Sequence, residues 1–117
     1  MNYDEQNIFA KIIRGELPAE KIYEDEKVLA FMDIMPRSPG HFLVIPKKEI
    51  PTLNDSKKED KDIIGELFLA AKKIAKKEGL TEKGYRTIFN CNEDGGQTVF
   101  HIHLHVMGGR QMEWPPG

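Results

Sequence analysis

The stretch His101-Ile102-His103-Leu104-His105 places a histidine at every second position. Regular alternation of polar and apolar residues is typical of a β-strand with one buried face. Because side chains of a strand alternate between its two faces, the three imidazoles should project from one face, while Ile102, Leu104 and Val106 enter the core on the other. The segment from Phe100 to Met107 is therefore predicted to be a strand that carries a row of imidazoles.

Two kinds of chemistry fit such a row. Imidazole titrates near neutral pH, so neighbours can hold one ring neutral as a nucleophile or base and another protonated as an acid. Aligned rings would repel one another when protonated, which disfavours a purely structural role. Alternate histidines on a strand can equally share a metal ion, since a catalytic zinc site takes three protein ligands and a water. The spacing alone leaves catalysis by the rings and metal binding both open.

The loop before the row favours a phosphate site. Asp94-Gly95-Gly96-Gln97-Thr98 offers glycines whose backbone amides can approach an anion closely, and Thr98 adds a hydroxyl near the first histidine. A Gly-Gly pair by itself is also common in hairpins. His41 opens a separate strand after a Pro/Gly-rich loop, so we expect it to meet the row across the sheet.

Outward from the row, the chain predicts an α+β fold with a largely antiparallel five-stranded sheet, one long helix and one short helix. Residues near 6 to 14 show a short helical period, and a longer one follows a capping-box pattern at Ser56 and Glu59 and ends at Gly79. We expect one face of the sheet to carry the long helix and the other to need a partner or a ligand. The remaining predicted strands are 21–24, 27–33, 41–45 and 85–90.

Composition limits the function classes. The 117 residues suit a single domain, 1–117, and a net charge of −2 gives no electrostatic case for binding nucleic acid. No apolar run approaches the ~20 residues of a membrane span, and the N-terminus lacks the pattern of a signal peptide. The single cysteine, Cys91, has no partner for a disulfide. We therefore expect a cytoplasmic protein that binds neither nucleic acid nor membrane.

At this point the sequence resembles the histidine-triad (HIT) superfamily, and within it the Hint branch of histidine-triad nucleotide-binding proteins. The signature is the alternating stretch from His101 to Met107. The resemblance extends over about residues 7 to 117 and includes Ile8-Phe9 with Lys11-Ile12-Ile13, Ala30-Phe31 with Asp33-Ile34, His41 to Lys48, Gly84-Tyr85-Arg86, Asp94 to Gln97, and Gly108 to Gly117.

The resemblance implies a homodimer in which two five-stranded sheets join into one of ten strands, with the tail of about residues 108–117 near the interface. It also implies hydrolysis of purine nucleoside 5′-monophosphoramidates, AMP or GMP linked to an amine, and of aminoacyl adenylates. No metal or other cofactor is implied, so the resemblance decides against the zinc interpretation.

Site roles follow from the same resemblance. His103 is the expected nucleophile, His101 and His105 bind phosphate oxygens or hold His103 in its reactive tautomer, and His41 completes a hydrogen-bond chain. Asn90 and Thr98 contact the phosphate and leaving group, and Thr98 counts as catalytic. The other expected nucleotide contacts are Asp33 at the ribose, Ile8, Phe9, Phe31 and Ile34 around the purine, and Gly96 and Gln97; Trp114 reaches the leaving-group side across the dimer.

Three departures from the branch concern the site's surroundings. Thr98 stands where serine is usual, which keeps the hydroxyl but restricts χ1. Glu113 stands where histidine is common, and Cys91-Asn92-Glu93 differs from the usual loop. Two other functions stay open: a nucleotide-binding adaptor with vestigial hydrolysis, and dinucleoside-polyphosphate hydrolysis as in the Fhit branch, against which the ending Trp114-Pro115-Pro116-Gly117 argues.

Overall fold

The computed structural model describes all 117 residues. Its sheet has the order β1-β2-β3-β5-β4, and every neighbouring pair is antiparallel. The predicted α+β class, five strands and two helices are confirmed. The elements are α1 (Ile8–Ile13), β1 (Lys21–Glu24), β2 (Val28–Met32), β3 (Gly40–Pro46), α2 (Lys61–Lys77), β4 (Tyr85–Phe89) and β5 (Leu104–Gly108), with two 3-10 turns, Leu53–Asp55 and Lys58–Asp60.

The two faces of the sheet carry different covers. α2 packs on the face that holds the larger apolar core, to which β2, β3 and β5 contribute alternate residues such as Ala30, Val44 and Val106. α1 covers part of the opposite face, where Phe9 and Ile12 meet the other set of alternate residues, Leu29, Phe31, Leu43 and Ile45. His103 and His105 lie on this second face, beside the short helix, because they alternate with Leu104 and Val106.

The long helix begins four residues later than the capping box at Ser56 predicts. Ser56 instead donates its hydroxyl to the Leu53 carbonyl at 2.6 Å. Two aspartates close successive 3-10 turns: the carboxylate of Asp55 accepts from the Thr52 amide, and that of Asp60 accepts from the Lys57 amide. These local bonds compete with the cap that Ser56 would have made.

The other helix ends agree with the sequence. Asn7 caps α1 by accepting a hydrogen bond from the Ala10 amide at 2.9 Å. Gly79 follows α2 with φ of +76°, the left-handed conformation that glycine adopts most easily after a helix.

The sheet has two edges. β1 lies at one edge and β4 at the other, and β4 presents half-buried apolar residues there, Ile88 and Phe89. In this chain no helix has the length and apolar character needed to cross a bilayer.

Candidate active site

The histidine row forms, but only its last member lies within a regular strand. β5 begins at Leu104, not at Phe100, and the one backbone-to-backbone hydrogen bond of residues 98–103 runs from the Ile102 amide to the Ile50 carbonyl at 2.8 Å. The alternation nevertheless continues through this segment, because Ile102 is buried in the same core as Leu104 and Val106. Segment 98–103 is thus an extended, unpaired lead into β5.

His103 has one ring nitrogen engaged and one free. Its Nδ1 lies 2.8 Å from the carbonyl oxygen of His101, and because a carbonyl only accepts, Nδ1 must carry the proton. Nε2 then holds the lone pair and has no hydrogen-bond partner in the chain. The side chain is 5% exposed and lies with its ring edge-on to Phe9, the two centroids 4.9 Å apart.

His101, by contrast, has both ring nitrogens engaged. Its Nε2 donates to the Pro46 carbonyl at 2.7 Å, so Nδ1 is the acceptor for the hydroxyl of Tyr3 at 2.6 Å. The residue is 0% exposed. Its ring is therefore placed to hold the backbone around it, and the carbonyl of that backbone is what fixes the tautomer of His103.

A second pair of rings forms a directed hydrogen-bond chain. The Arg37 amide donates to Nδ1 of His41 at 3.0 Å, so the His41 proton is on Nε2. That Nε2 lies 2.9 Å from Nδ1 of His105 and 3.3 Å from Oδ2 of Asp33. His105 consequently carries its own proton on Nε2, as a donor. The expected meeting of His41 with the row is confirmed.

Burial keeps the rings neutral. The pKa of His101 and of His105 is lowered to about 4, mainly by desolvation and in smaller part by the charge that His103 carries when protonated. Desolvation also lowers the pKa of His41 and His103 below 6.5, although Asp33 opposes the shift at both. All four imidazoles are thus neutral at pH 7. This differs from the sequence-based picture of one neutral and one protonated ring, because burial outweighs the single carboxylate nearby.

The hydrogen bonds of the rings also affect whether the histidine row can bind a metal ion. Both nitrogens of His101 and Nδ1 of His103 are occupied, so the three rings do not converge on one ion. The groups that do converge are Asp33, His41 and His105, whose potential ligand atoms lie within 4.8 Å of one another. A metal there would have to displace the proton that His41 shares with His105 and Asp33. The donors fit a hydrogen-bond chain better than a metal centre.

The loop before the row is closed on itself. The Gly96 amide donates to the Glu93 carbonyl and the Gln97 amide to Asn92. The buried side chain of Gln97 accepts from the Asn92 amide and donates to the carbonyls of Pro51 and Val99. The polar groups of these bonds are engaged within the protein and give the loop its shape; nucleotide contacts by Gly96 and Gln97 stay a prediction.

Two other residues of this loop have different surroundings. Asn90 donates its side-chain amide to the Gly95 carbonyl at 2.6 Å, which leaves its side-chain oxygen unbonded. Thr98 is exposed, and its hydroxyl makes no hydrogen bond within the chain. Both therefore retain a polar group for a ligand.

The apolar residues expected around a purine divide into two groups. Phe9 and Phe31 are buried and pack edge-on at 5.4 Å in the smaller core. Ile8 is half exposed, and Ile34 is 89% exposed on the loop that follows Asp33. Trp114 is 82% exposed, in a tail tied to the sheet by a hydrogen bond from Arg86 to the Glu113 carbonyl at 2.8 Å.

Sequence reasoning missed three groups at this site: the Tyr3 hydroxyl, the Pro46 carbonyl and the Arg37 amide. Two of them are backbone atoms, which carry no residue-type signal. Tyr3 lies outside every periodic segment, so nothing in the pattern connects it with a histidine 98 positions away.

Comparison with known proteins agrees with this fold and site. The HIT domain family matches residues 14–112. Over 108 residues the chain is 49% identical to the purine nucleoside phosphoramidase of Escherichia coli K12, covering 92% of this chain and 91% of that protein. It is 52% identical over 113 residues to a HIT-like protein of Synechococcus elongatus, covering 97% and 98%.

Solved structures give the same result. The crystal structure of a HIT family hydrolase from Legionella pneumophila superposes with a TM-score of 0.94 at 53% identity, covering 96% of this chain and all of that one. The five-stranded antiparallel sheet and the cluster of histidines around β5 together define the class of protein. This chain belongs to the HIT domain family, as the histidine motif had indicated.

Proposed function

We propose that this chain hydrolyses the P–N bond of purine nucleoside 5′-monophosphoramidates, with Nε2 of His103 as the nucleophile. The observation that carries the proposal is the hydrogen bond from His103 Nδ1 to the His101 carbonyl, which leaves Nε2 unprotonated and unpartnered. The similarity to a purine nucleoside phosphoramidase supports the substrate class.

The proposed reaction has two steps. His103 Nε2 bonds to the α-phosphorus, the P–N bond breaks, and the amine departs with a proton from the Thr98 hydroxyl. Water then attacks phosphorus and gives a proton to the Thr98 oxygen, the bond to His103 breaks, and the nucleoside monophosphate leaves. Dividing the reaction in this way replaces one difficult displacement by two easier ones. Neither step uses a metal or another cofactor.

The second pair of rings supports the charge that builds on the phosphoryl oxygens. In this proposal the Nε2 proton of His105 donates to one of those oxygens, while His41 donates to His105 from behind. The carboxylate of Asp33, 3.3 Å from His41, stabilises positive charge on that pair as the transition state forms. The gain arises because these dipoles are already oriented in a buried site.

Binding and leaving-group roles follow from exposure. Ile8 and Ile34 present apolar surface to a purine above Phe9 and Phe31, and Asp33 accepts from the ribose hydroxyls. Thr98, with its free hydroxyl, is the proposed proton donor to the departing amine. His101 acts by positioning His103, and Gly96 and Gln97 act by shaping the loop that presents Asn90 and Thr98.

We also propose that the chain works as a homodimer joined through β4. β4 is an unpaired edge strand, and edges of this kind are normally covered or paired. Beside it, Phe68 of α2 is 42% exposed and lies with its ring 6.0 Å from that of Phe89. Pairing two β4 strands would cover this apolar strip and produce a sheet of ten strands, with the tail and Trp114 near the junction.

The test is a steady-state comparison of AMP-amine, GMP-amine and diadenosine polyphosphate substrates, with and without a chelator. We expect the phosphoramidates to be preferred and the chelator to have no effect. His103→Ala should lose several orders of magnitude in kcat and still bind AMP, because a nucleophile acts on the chemical step. Preference for the diadenosine substrates, or activity that the chelator abolishes and zinc restores, would overturn the proposal.

The same variant tests the adaptor alternative. If the chain's work in a cell is contact with other proteins, His103→Ala should rescue a deletion phenotype as well as the wild type does. Failure to rescue, with normal expression and AMP binding, supports the enzyme.

A further inference from the structure

Tyr3 contacts the histidine cluster from outside the sheet. Its hydroxyl lies 2.6 Å from Nδ1 of His101, and the two rings meet edge-on with their centroids 5.6 Å apart. Since Nε2 of His101 donates to the Pro46 carbonyl, the Tyr3 hydroxyl must be the donor in this bond. Burial raises the pKa of the Tyr3 hydroxyl, so it keeps its proton over the whole range in which histidines titrate.

The backbone at His101 has few other anchors. It lies in segment 98–103, whose one backbone-to-backbone hydrogen bond is made by the Ile102 amide. That amide shares a peptide group with the His101 carbonyl, and the two bonds of the His101 ring, to the Pro46 carbonyl and to Tyr3, add the anchors on the side-chain side. Its carbonyl oxygen in turn accepts the Nδ1 proton of His103.

The two residues that follow Tyr3 are hydrogen-bonded to the helix region. The Asn7 amide and side chain both donate to the Asp4 carbonyl, and Arg14 donates to the Glu5 carbonyl at 2.8 Å. These bonds tie the N-terminal segment to α1, which also packs Phe9 against His103. The segment before α1 and the nucleophile are thus connected by a continuous set of contacts.

We infer that Tyr3 is a positioning residue: by holding the His101 ring, it keeps the His101 carbonyl where it fixes the Nδ1-protonated tautomer of His103. This inference rests on the proposed function for its effect on rate. When the hydroxyl is removed, Nδ1 of His101 becomes a buried acceptor without a donor. The ring then shifts, and His103 spends part of its time in the Nε2-protonated tautomer, in which the nucleophilic lone pair is lost.

Tyr3→Phe is the direct variant, and Tyr23→Phe is its matched control. Tyr23 also donates its hydroxyl to a side chain, Asp25, at 2.7 Å, but it does so on β1 at the edge far from the cluster. We expect Tyr3→Phe to lower kcat about 10-fold with KM changed less than about 2-fold, because Tyr3 supplies no nucleotide contact. Tyr23→Phe should leave both constants unchanged.

Three further experiments distinguish a positioning role of Tyr3 from a general loss of structure. Nitrogen-15 chemical shifts of the histidine rings report each tautomer directly: His103 should be wholly Nδ1-protonated in the wild type and in Tyr23→Phe, and mixed in Tyr3→Phe. Placing 4-aminophenylalanine at position 3 restores a donor and should restore both the tautomer and kcat. Urea unfolding of each variant shows whether the fold persists.

The outcomes are distinct for the two proposals. An unchanged His103 tautomer and unchanged kcat in a folded Tyr3→Phe protein would overturn the inference and leave the proposed function standing. A wild type without phosphoramidase activity would overturn the proposed function, while the ring shifts would still decide the role of Tyr3. If Tyr3→Phe unfolds, the 4-aminophenylalanine protein with a wild-type tautomer supports the inference, and one with a mixed tautomer overturns it.

Discussion

At His103, one hydrogen bond decides which ring nitrogen can react. The ring could in principle present either nitrogen to a substrate, and only the fixed acceptor at the His101 carbonyl makes Nε2 the free one. Burial contributes the other requirement, because it lowers the pKa of the ring and keeps it neutral at pH 7. Position and protonation of the proposed nucleophile thus come from the backbone and from packing, and not from a neighbouring base.

Thr98 is the residue at which proton donation to the leaving group can be tested. A positioned donor contributes roughly 10²-fold or more when the leaving group most needs protonation. We therefore expect Thr98→Ala to slow substrates with basic amines far more than those with weakly basic amines, and Thr98→Ser to be neutral or faster. The measurement is a plot of log kcat against amine pKa for each variant.

The control for this series is Thr81→Ala, which removes an exposed threonine after α2. A loss in Thr98→Ala that is equal for good and poor leaving groups would show that Thr98 only positions the phosphate.

Among the elements, β5 shows which features of the fold can be predicted from the sequence and which cannot. Alternation from His101 to Val106 predicts correctly which residues enter the core, because the period of 2 belongs to extended backbone whether or not it is paired. Pairing depends on the neighbouring strands, and β3 and β4 meet this segment only from Leu104 onward. The predicted start at Phe100 was therefore wrong, although the faces were right.

The start of α2 was missed for a related reason. Ser56 and Glu59 fit a capping box, but Asp55 and Asp60 make competing local bonds, and Asp60 is also paired with Lys48 from the segment after β3. A contact between residues 12 apart in the chain is invisible to a local pattern. The tautomers of the site were hidden for a different reason: the His101 carbonyl sets that of His103 and the Arg37 amide sets that of His41, and backbone groups carry no residue-type signal.

The C-terminal tail is an element whose role is still a prediction. Trp114 is 82% exposed, which is an unfavourable position for the only tryptophan unless another surface covers it. We expect removal of residues 112–117 to change the selectivity among amine leaving groups while the dimer persists. The check is kcat/KM across a panel of AMP-amines, together with the solution mass; unchanged ratios in a dimeric truncated protein would exclude the tail from substrate choice.

For the whole molecule, the proposed dimer through β4 can be tested at the exposed apolar strip beside that edge. Phe68→Glu places a charge in the strip and should convert the wild-type mass, about twice 13.4 kDa, into that of one chain. Light scattering coupled to size-exclusion chromatography measures this. Leu17→Glu, an exposed leucine in the segment before β1, is the control and should stay dimeric. A monomeric wild type, or a dimeric Phe68→Glu protein, would contradict the proposed interface.

The stability of the whole molecule should depend on pH because its histidines are buried as neutral rings. In the unfolded chain they titrate near 6.5, whereas the folded pKa of His101 and of His105 is about 4. Between these values the unfolded state binds more protons than the folded state. The free energy of unfolding therefore has its full value, as far as these rings are concerned, above pH 6.5, and it falls as the pH drops toward 4. The slope is about 1.4 kcal/mol per pH unit for each proton.

Urea unfolding at pH 7, 6 and 5 measures this effect. In that window the carboxyl groups contribute little, because their ordinary pKa values of 3.8 to 4.5 lie below it. A free energy of unfolding that stays level from pH 7 to pH 5 would show that the rings are not held neutral by burial.

The most direct measurement of the central claim is a rapid-quench trap of the covalent intermediate. Wild-type protein is mixed with an AMP-amine carrying a good leaving group, quenched in alkali within milliseconds and mapped by mass spectrometry. We predict one nucleotidyl adduct, on His103, that forms and decays at rates consistent with kcat and is absent from His103→Ala. Turnover without any adduct, under conditions in which amine release precedes AMP release, or an adduct on His101, His105 or His41, would contradict the account.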